Sequence, residues 1–561
     1  MRAPHAVRTS PSATVRLAVL GVLLLVACAR REGCTGDYCG TLVIATAGEP
    51  QSLLPPLLTA AVDQAVSDQL FLRLADIGRS TNTVGDEDFQ SQLAERWEWA
   101  DSVTLVFHLD PRARWQDGRA VTATDVAFSF DAYNDPAVNS PFRAGVRAIS
   151  AVTARDSLTA VFRFRKRYPE MFFDAVFHLR VLPAHLLRPI PRDQWSSAAF
   201  GRKPVGDGPY RFVSWKAGEQ LELAADSTFF LGRPHLRRVI WRFTPDLQVA
   251  VTQLVADQAD AIEVLGPPDN VKRVRAVPQL TLYPYRGATY GYLGFNLAAN
   301  GDSSRPHPLF GDRELRRALV MAVDRERLLQ NVWGDAAKVP PGPEPQLWWI
   351  WDPETRVLPH DTAQASRLLT RLGWRPSDHD GVRERRGNRL AFRIMVPTTS
   401  AIRRQYARLL QEQYRAIGAE VELDEVEPSV FLQRASAGRF DALIAAWNAD
   451  PTPASSIAQT WTREGVGRSN YLRYLNPAFD GLVERASSGK GGRAATQRAW
   501  RQAIELLNQD APAVFLYASE NVAAVHRRVA DVTIRPDSWL ALLRTWRIPA
   551  ERLIDRDRVE R

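Results

Sequence analysis

Leu390-Ala391-Phe392-Arg393-Ile394-Met395-Val396, Val421-Glu422-Leu423-Asp424-Glu425-Val426 and Phe440-Asp441-Ala442-Leu443-Ile444-Ala445-Ala446-Trp447 are three short strand-like runs, separated by two stretches of helical spacing. The first spacer, Ala401 to Ile417, stops at Gly418; the second, Pro428 to Ala437, opens on proline and stops at Gly438. Proline at the first helical position and glycine just past the last are helix boundaries with a physical cause, a preset φ and a left-handed exit. The order β-α-β-α-β predicts an α/β fold with a parallel sheet and right-handed crossovers. Ligands collect beyond the carboxyl ends of such strands. Two segments stand there: Trp447-Asn448-Ala449-Asp450-Pro451, and the loop Pro397 to Ser400 that leads into Arg403 and Arg404.

Outward from this core, Thr41 to Ala45 reads as a buried strand that breaks at Gly48-Glu49-Pro50. Apolar residues recur at helical spacing from Val62 to Leu74, and Val103, Leu105, Phe107 and Leu109 alternate as in a half-buried strand. A turn is expected at Trp115-Gln116-Asp117-Gly118, then a helix capped by Thr122 with Asp125 three residues on. The middle is mostly strands and turns, punctuated by Pro204-Val205-Gly206-Asp207-Gly208-Pro209-Tyr210. Arg313 to Val332 reads as one amphipathic helix, and Gly489-Lys490-Gly491-Gly492 as a flexible linker.

Composition narrows the function. Of 561 residues 72 are basic, giving a net charge of +9, yet only six are lysines and no dense basic run occurs. The surplus is a surface charge and not a nucleic-acid site. There is no Gly-x-Ser-x-Gly elbow, His-Glu-x-x-His or Walker loop, so no enzyme is expected. The nine histidines are scattered, with no pair at i,i+4, and neither a protein-built metal site nor a cofactor is expected.

The chain's start carries an address. Leu17 to Ala27 is apolar, follows Arg2, Arg8 and Arg16, and would span only about 16 Å as a helix, half a hydrocarbon core. It reads as a secretory segment, 1–27, and no later stretch is long enough to cross a membrane. Leu25-Val26-Ala27-Cys28 resembles the bacterial lipobox, which implies a lipidated Cys28 and an exported protein anchored to a membrane; the alternative is an ordinary signal peptide. Cys34 and Cys39 then remain as a pair in an oxidising compartment, where a small disulfide loop is the natural pairing.

Several blocks, in order, carry a family resemblance: Trp115 to Gly118 with Val121 to Val126, Leu182-Pro183-Ala184-His185, Pro204 to Tyr210, Gly294-Phe295-Asn296, Arg316 and Ala322 to Arg325, Trp447 to Pro451, Ser469-Asn470-Tyr471, and Asn476 to Asp480. Together they resemble the extracytoplasmic solute-binding proteins of ABC importers, in the family 5 peptide, dipeptide and nickel-binding group. That family usually has Thr where Asp207 stands. The resemblance implies two α/β lobes of the periplasmic-binding-protein fold, class II type, hinged around a cleft. Lobe I is then expected over 41–300 with an insert at about 86–200, lobe II over 301–510, and a return to lobe I over 511–561, after a tether at 28–40. It also implies binding without chemistry by a monomer that delivers peptides to an ABC permease. Alternative cargoes are a nickel complex, haem, an opine or an oligosaccharide, and a lipoprotein that senses or chaperones without transport is a further alternative.

A cleft that encloses a peptide must neutralise its terminal charges. By resemblance Asp450 matches the acidic position that receives the α-amino group. Arg403 and Arg404 are candidates for the carboxylate, because a guanidinium can bond both oxygens. Trp447, Trp461 and Tyr292 are candidate aromatic walls, Trp348, Trp349 and Trp351 a candidate lid, and Glu49 with Leu53 and Leu54 the candidates from the opposite lobe.

Overall fold

The computed structural model describes residues 38–299, 301–334, 336–345, 349–376 and 380–558. Lobe I opens with β1 (Thr41–Thr46) and helix α1 (Ala61–Leu70). An insert follows, with β2 (Ala94–Asp101), β3 (Thr104–Leu109), α2 (Ala123–Asn134), β4 (Ile149–Ala154), β5 (Thr159–Phe164) and the short α3 (Met171–Val176). The chain rejoins the main sheet in β6 (Tyr210–Lys216), β7 (Gln220–Ala225), β8 (Arg238–Phe243) and β9 (Ala261–Ile262). Strand β10 (Leu280–Phe295) carries it into lobe II. There lie α4 (Arg313–Met321), α5 (Arg325–Val332), β11 (Ala391–Pro397), α6 (Ala401–Arg415), β12 (Glu420–Val426), α7 (Pro428–Ala437), β13 (Ala442–Asn448), α8 (Pro477–Ser488) and α9 (Gly492–Asp510). Strand β14 (Ala513–His526) crosses back.

Among the described residues, the main sheet has eleven strands in the order β12-β11-β13-β10-β14-β9-β1-β8-β7-β6, with Ala337–Lys338 pairing on β14. The β-α-β-α-β reading of 390–447 holds: β11 lies parallel to both β12 and β13. A separate four-stranded sheet, β2-β3-β5-β4, forms the insert. The C-terminal residues Val529, Trp539, Leu540, Trp546 and Ile548 are buried in the core that lobe I shares with the insert.

The two long antiparallel strands β10 and β14 form the joint between lobes. They pair from Leu280 opposite His526 to Gly294 opposite Ala513, with a register shift between Arg286 and Tyr290. β10 gains β13 as its second neighbour only from Thr289 onward. The irregularity therefore falls where the strand changes lobes, and irregularities of this kind bend and twist a strand. Gly287 is required there, because a Cβ would sit 2.1 Å from Ser519 Oγ and 2.7 Å from its carbonyl oxygen.

Three local expectations need correction or refinement. The helix expected over 313–332 is two helices, because Asp324 accepts a bond from the Arg327 amide at 3.0 Å and starts a new one inside the apolar pattern. The Thr122–Asp125 capping pair is present, Asp125 accepting the Thr122 amide at 2.9 Å, but the Thr122 hydroxyl also donates to Asp125, at 2.8 Å. Residues 489–492 are not a linker but the tight turn of a helical hairpin, with Gly489, Gly491 and Gly492 all in the left-handed region.

The resemblance blocks knit to one another. The Gln116 amide donates to Gly206 O and its Nε2 to Tyr210 O at 2.7 Å, joining turns far apart in sequence. Asp117 meets His185 at 2.7 Å, and Asp125 accepts the Ala184 amide at 3.0 Å. Asn296 donates to Gly438 O and Phe440 O, and Arg316 to Phe310 O and Asp510 O. These residues build turns and hold elements together.

Asp207 is the exception in that lattice. One carboxyl oxygen accepts the Leu72 amide at 2.9 Å, but the other is buried without a partner. Burial pushes its carboxyl well above the usual range, and nearby Asp125 adds to the rise. A group raised in this way stabilises the fold below its unfolded-state value, and the contribution is lost as pH rises through the folded-state value. Asp207→Asn is therefore expected to raise the melting temperature at neutral pH and to bring no gain near about pH 4, as thermal melts at the two pH values would show.

A second buried cluster ties the ends of the chain to the sheet. Asp260, fully buried, accepts from the Val43 amide at 2.8 Å, from Arg528 Nε at 2.6 Å and from Arg556. Arg528 also donates to Asp557 at 2.7 Å and Thr41 O at 2.6 Å, and Asp557 accepts the Thr41 amide at 2.7 Å.

Candidate ligand-binding cleft

The carboxyl end of β13 forms part of the lobe II wall. The Ala449 amide donates to Ala288 O at 2.9 Å, pinning the strand end to β10, and places exposed Asp450 one residue beyond. Its charge is felt in lobe I. The Asp174 carboxyl on α3 is pushed well up by burial; the Tyr168 hydroxyl, 2.5 Å away, opposes this, and the charges of Glu170 and Asp450 add to it. His178 is packed against Phe173 and Phe177, and burial pushes its imidazole down while Asp450 pulls it up. Asp450 thus stands near enough to act on Asp174 of α3 and on His178, two residues past its end.

Contacts between the lobes continue from there. Glu170, buried at the start of α3, accepts from Thr83 Oγ1 of lobe I at 2.5 Å and from Thr452 Oγ1 of lobe II. Trp349 Nε1 of lobe II donates to Thr83 Oγ1 at 3.2 Å, and Arg493 stands 3.7 Å from Asp88. Beside these contacts a cavity of 790 Å³ opens between Tyr168, Pro169 and Met171 of lobe I and the Ser488 to Gly492 turn of lobe II.

The remaining expected residues fall into different places. Trp447 is half-buried and stands opposite Tyr290 in the β13–β10 register. Trp461 and Tyr292 are packed inside lobe II, 5.3 Å apart and both against Phe515, with Trp461 Nε1 donating to Tyr290 at 3.1 Å. Arg403 lies 5.9 Å from the Phe431 ring, and its charge partly offsets the upward push of burial on the Tyr292 and Tyr517 phenols. Arg404 turns the other way, 3.8 Å from Glu425. Glu49 closes the β6–β7 hairpin: its carboxylate accepts from Trp215 Nε1 at 2.8 Å and the Gly218 amide at 2.9 Å, with Arg202 at 3.7 Å. Leu53 and Leu54 are in the lobe I core. Cys28, Cys34 and Trp348 lie outside the described residues; Cys39 is buried.

Sequence reasoning missed Glu170, Asp174 and His178; Glu263, just beyond β9, is a further carboxyl raised by burial. Burial alone pushes the half-buried Glu263 carboxyl up to about 7, and the Tyr285 hydroxyl donates to its carbonyl at 3.5 Å.

A model of bacterial extracellular solute-binding proteins, family 5 middle, matches residues 88–468. The oligopeptide-binding protein AppA of Bacillus subtilis is 24% identical over 515 residues, 90% of this chain and 91% of that protein. Protein XP55 of Streptomyces lividans is 28% identical over 512 residues, 89% of each chain. The AppA structure, solved with a nonapeptide, superposes with a TM-score of 0.72 at 24% identity, covering 91% of this chain and 99% of that one. NikZ of Campylobacter jejuni, solved with Ni(L-His), superposes at 0.72 with 22% identity, covering 92% of this chain and all of that one. At such identity these structures establish the fold, two lobes about a cleft, and leave the cargo open.

Proposed function

The chain belongs to the bacterial extracellular solute-binding proteins of family 5, and from that premise we propose that its cargo is a peptide held between the lobes, with the α-amino group at Asp450. The protein is a non-enzymatic solute-binding component of ABC import. The observation that carries the peptide reading is the exposed Asp450 carboxylate at the β13 strand end, near enough to α3 for its charge to act on Asp174. An ammonium enclosed there gains a carboxylate partner in place of water. Arg403, directed at the strands that join the lobes, is the candidate partner for a peptide carboxylate, and Trp447 for apolar side chains. The AppA relative, an oligopeptide-binding protein, supports the same reading.

Calorimetric titration with a set of short peptides tests it. Peptides with free amino termini are expected to bind, and the same peptides N-acetylated to bind far more weakly; equal affinity for both would overturn the role given to Asp450.

Delivery to a permease and anchoring through lipid on Cys28 belong to the same proposal. An anchored binding protein keeps captured solute near the membrane and raises its effective concentration there. Cys28→Ser is expected to move the protein from the membrane to the soluble fraction; retention in membranes after fractionation would contradict the lipid anchor.

A further inference from the structure

The carboxyl of Glu170 is shared between the lobes. It stands at the start of α3 in lobe I, is 6% exposed, and receives the hydroxyl of Thr83 from its own lobe and of Thr452 from the other. Thr83 in turn accepts the indole N–H of Trp349, so a chain of hydrogen bonds runs Trp349 to Thr83 to Glu170 and back to Thr452, entering and leaving lobe II. Opening the lobes breaks the bonds at both ends of that chain and exposes the carboxyl to water. We propose that Glu170 is an interlobe latch: its threonine bonds hold the cleft shut, and closing the lobes takes up a proton on its carboxyl.

Burial favours protonation of the closed form, in an interface that holds several other charged groups. Asp174 lies one turn along α3, Asp450 two residues before Thr452, His178 just past α3, and Arg493 is paired with Asp88 across the same interface. Lys490 lines the neighbouring cavity. Burial raises the Glu170 carboxyl to about 7, opposed by the Thr452 and Thr83 hydroxyls. In the open form, hydrated, it returns toward the ordinary range. Closure is then helped by protonation at low pH, and the help fades as pH rises through about 7. Both threonines can keep donating to one carboxyl oxygen while the proton sits on the other. The inference needs only the two-lobed clamp and no particular cargo, so it stands or falls separately from the peptide reading.

Small-angle scattering of the ligand-free protein, which reports the separation of the lobes, tests it. For the wild type, the ratio of closed to open molecules is expected to rise by roughly 70-fold from about pH 8 to about pH 5. Glu170→Gln keeps an acceptor oxygen but cannot take up the proton, and is expected to show the same lobe separation at both pH values. Thr452→Val, on the opposite lobe, is expected to be more open than wild type at both. Wild-type scattering that does not change with pH, or a Glu170→Gln variant that keeps the full pH response, would overturn the proton-linked latch. Thr452→Val as closed as wild type would overturn the bridge itself, and it decides the matter even where the Glu170 variant fails to fold.

Discussion

Asp450→Ala is expected to weaken peptide binding by roughly 10- to 100-fold, the loss of one hydrogen bond to a charged group. The larger end of that range follows if the ammonium stays enclosed without a partner, since an unpaired buried charge costs more than the bond was worth. Asp450 is exposed at the end of β13, two residues past its last strand position, so the substitution removes a charge without emptying a core. Asp450→Asn should fall between the two, keeping an acceptor oxygen but not the charge. Calorimetry on the three proteins checks this, and unchanged affinity in the alanine variant would remove Asp450 from the site.

Asp260→Ala is expected to lower the stability of the fold by about 3–5 kcal/mol, the usual cost of breaking a buried ion pair from one side. Asp260 and Asp557 are fully buried and Arg528 is 5% exposed, so the guanidinium left behind has no water to replace the lost carboxylate. The Val43 amide would also lose its acceptor. The cluster joins β1 and the residue before β9 to the segment after β14 and the C-terminal residues, so the damage falls on the elements that close lobe I. Urea unfolding checks the magnitude, and a loss below about 1 kcal/mol would show that the cluster is not a keystone of lobe I.

The part of the fold most legible in the sequence is 390–448, where strand and helix periods alternate cleanly and Gly418 and Gly438 mark the helix ends. Helices α4 and α5 read as one because the apolar spacing runs through the break, and only the Asp324 cap separates them. The long joint strands were harder still. β10 contains Pro284, Gly287, Gly291 and Gly294, residues that ordinarily argue against a strand interior, and its length comes from pairing with β14 more than two hundred residues away. The strand-end position of Asp450 was legible because a strand end is a local pattern. Glu170, Asp174 and His178 were not, since they come near Asp450 only through the packing of an insert far upstream. For Glu49 the sequence shows the position after β1 but not the partners, Trp215 and Gly218, that use its carboxylate.

Mass spectrometry of the small molecules released on denaturing protein purified gently from its own cells bears most directly on the central claim, that the two lobes close over a peptide. The expected result is one or more short peptides with free amino termini, in amounts approaching one per protein. Recovery of a nickel complex, haem or a sugar in that proportion would contradict it.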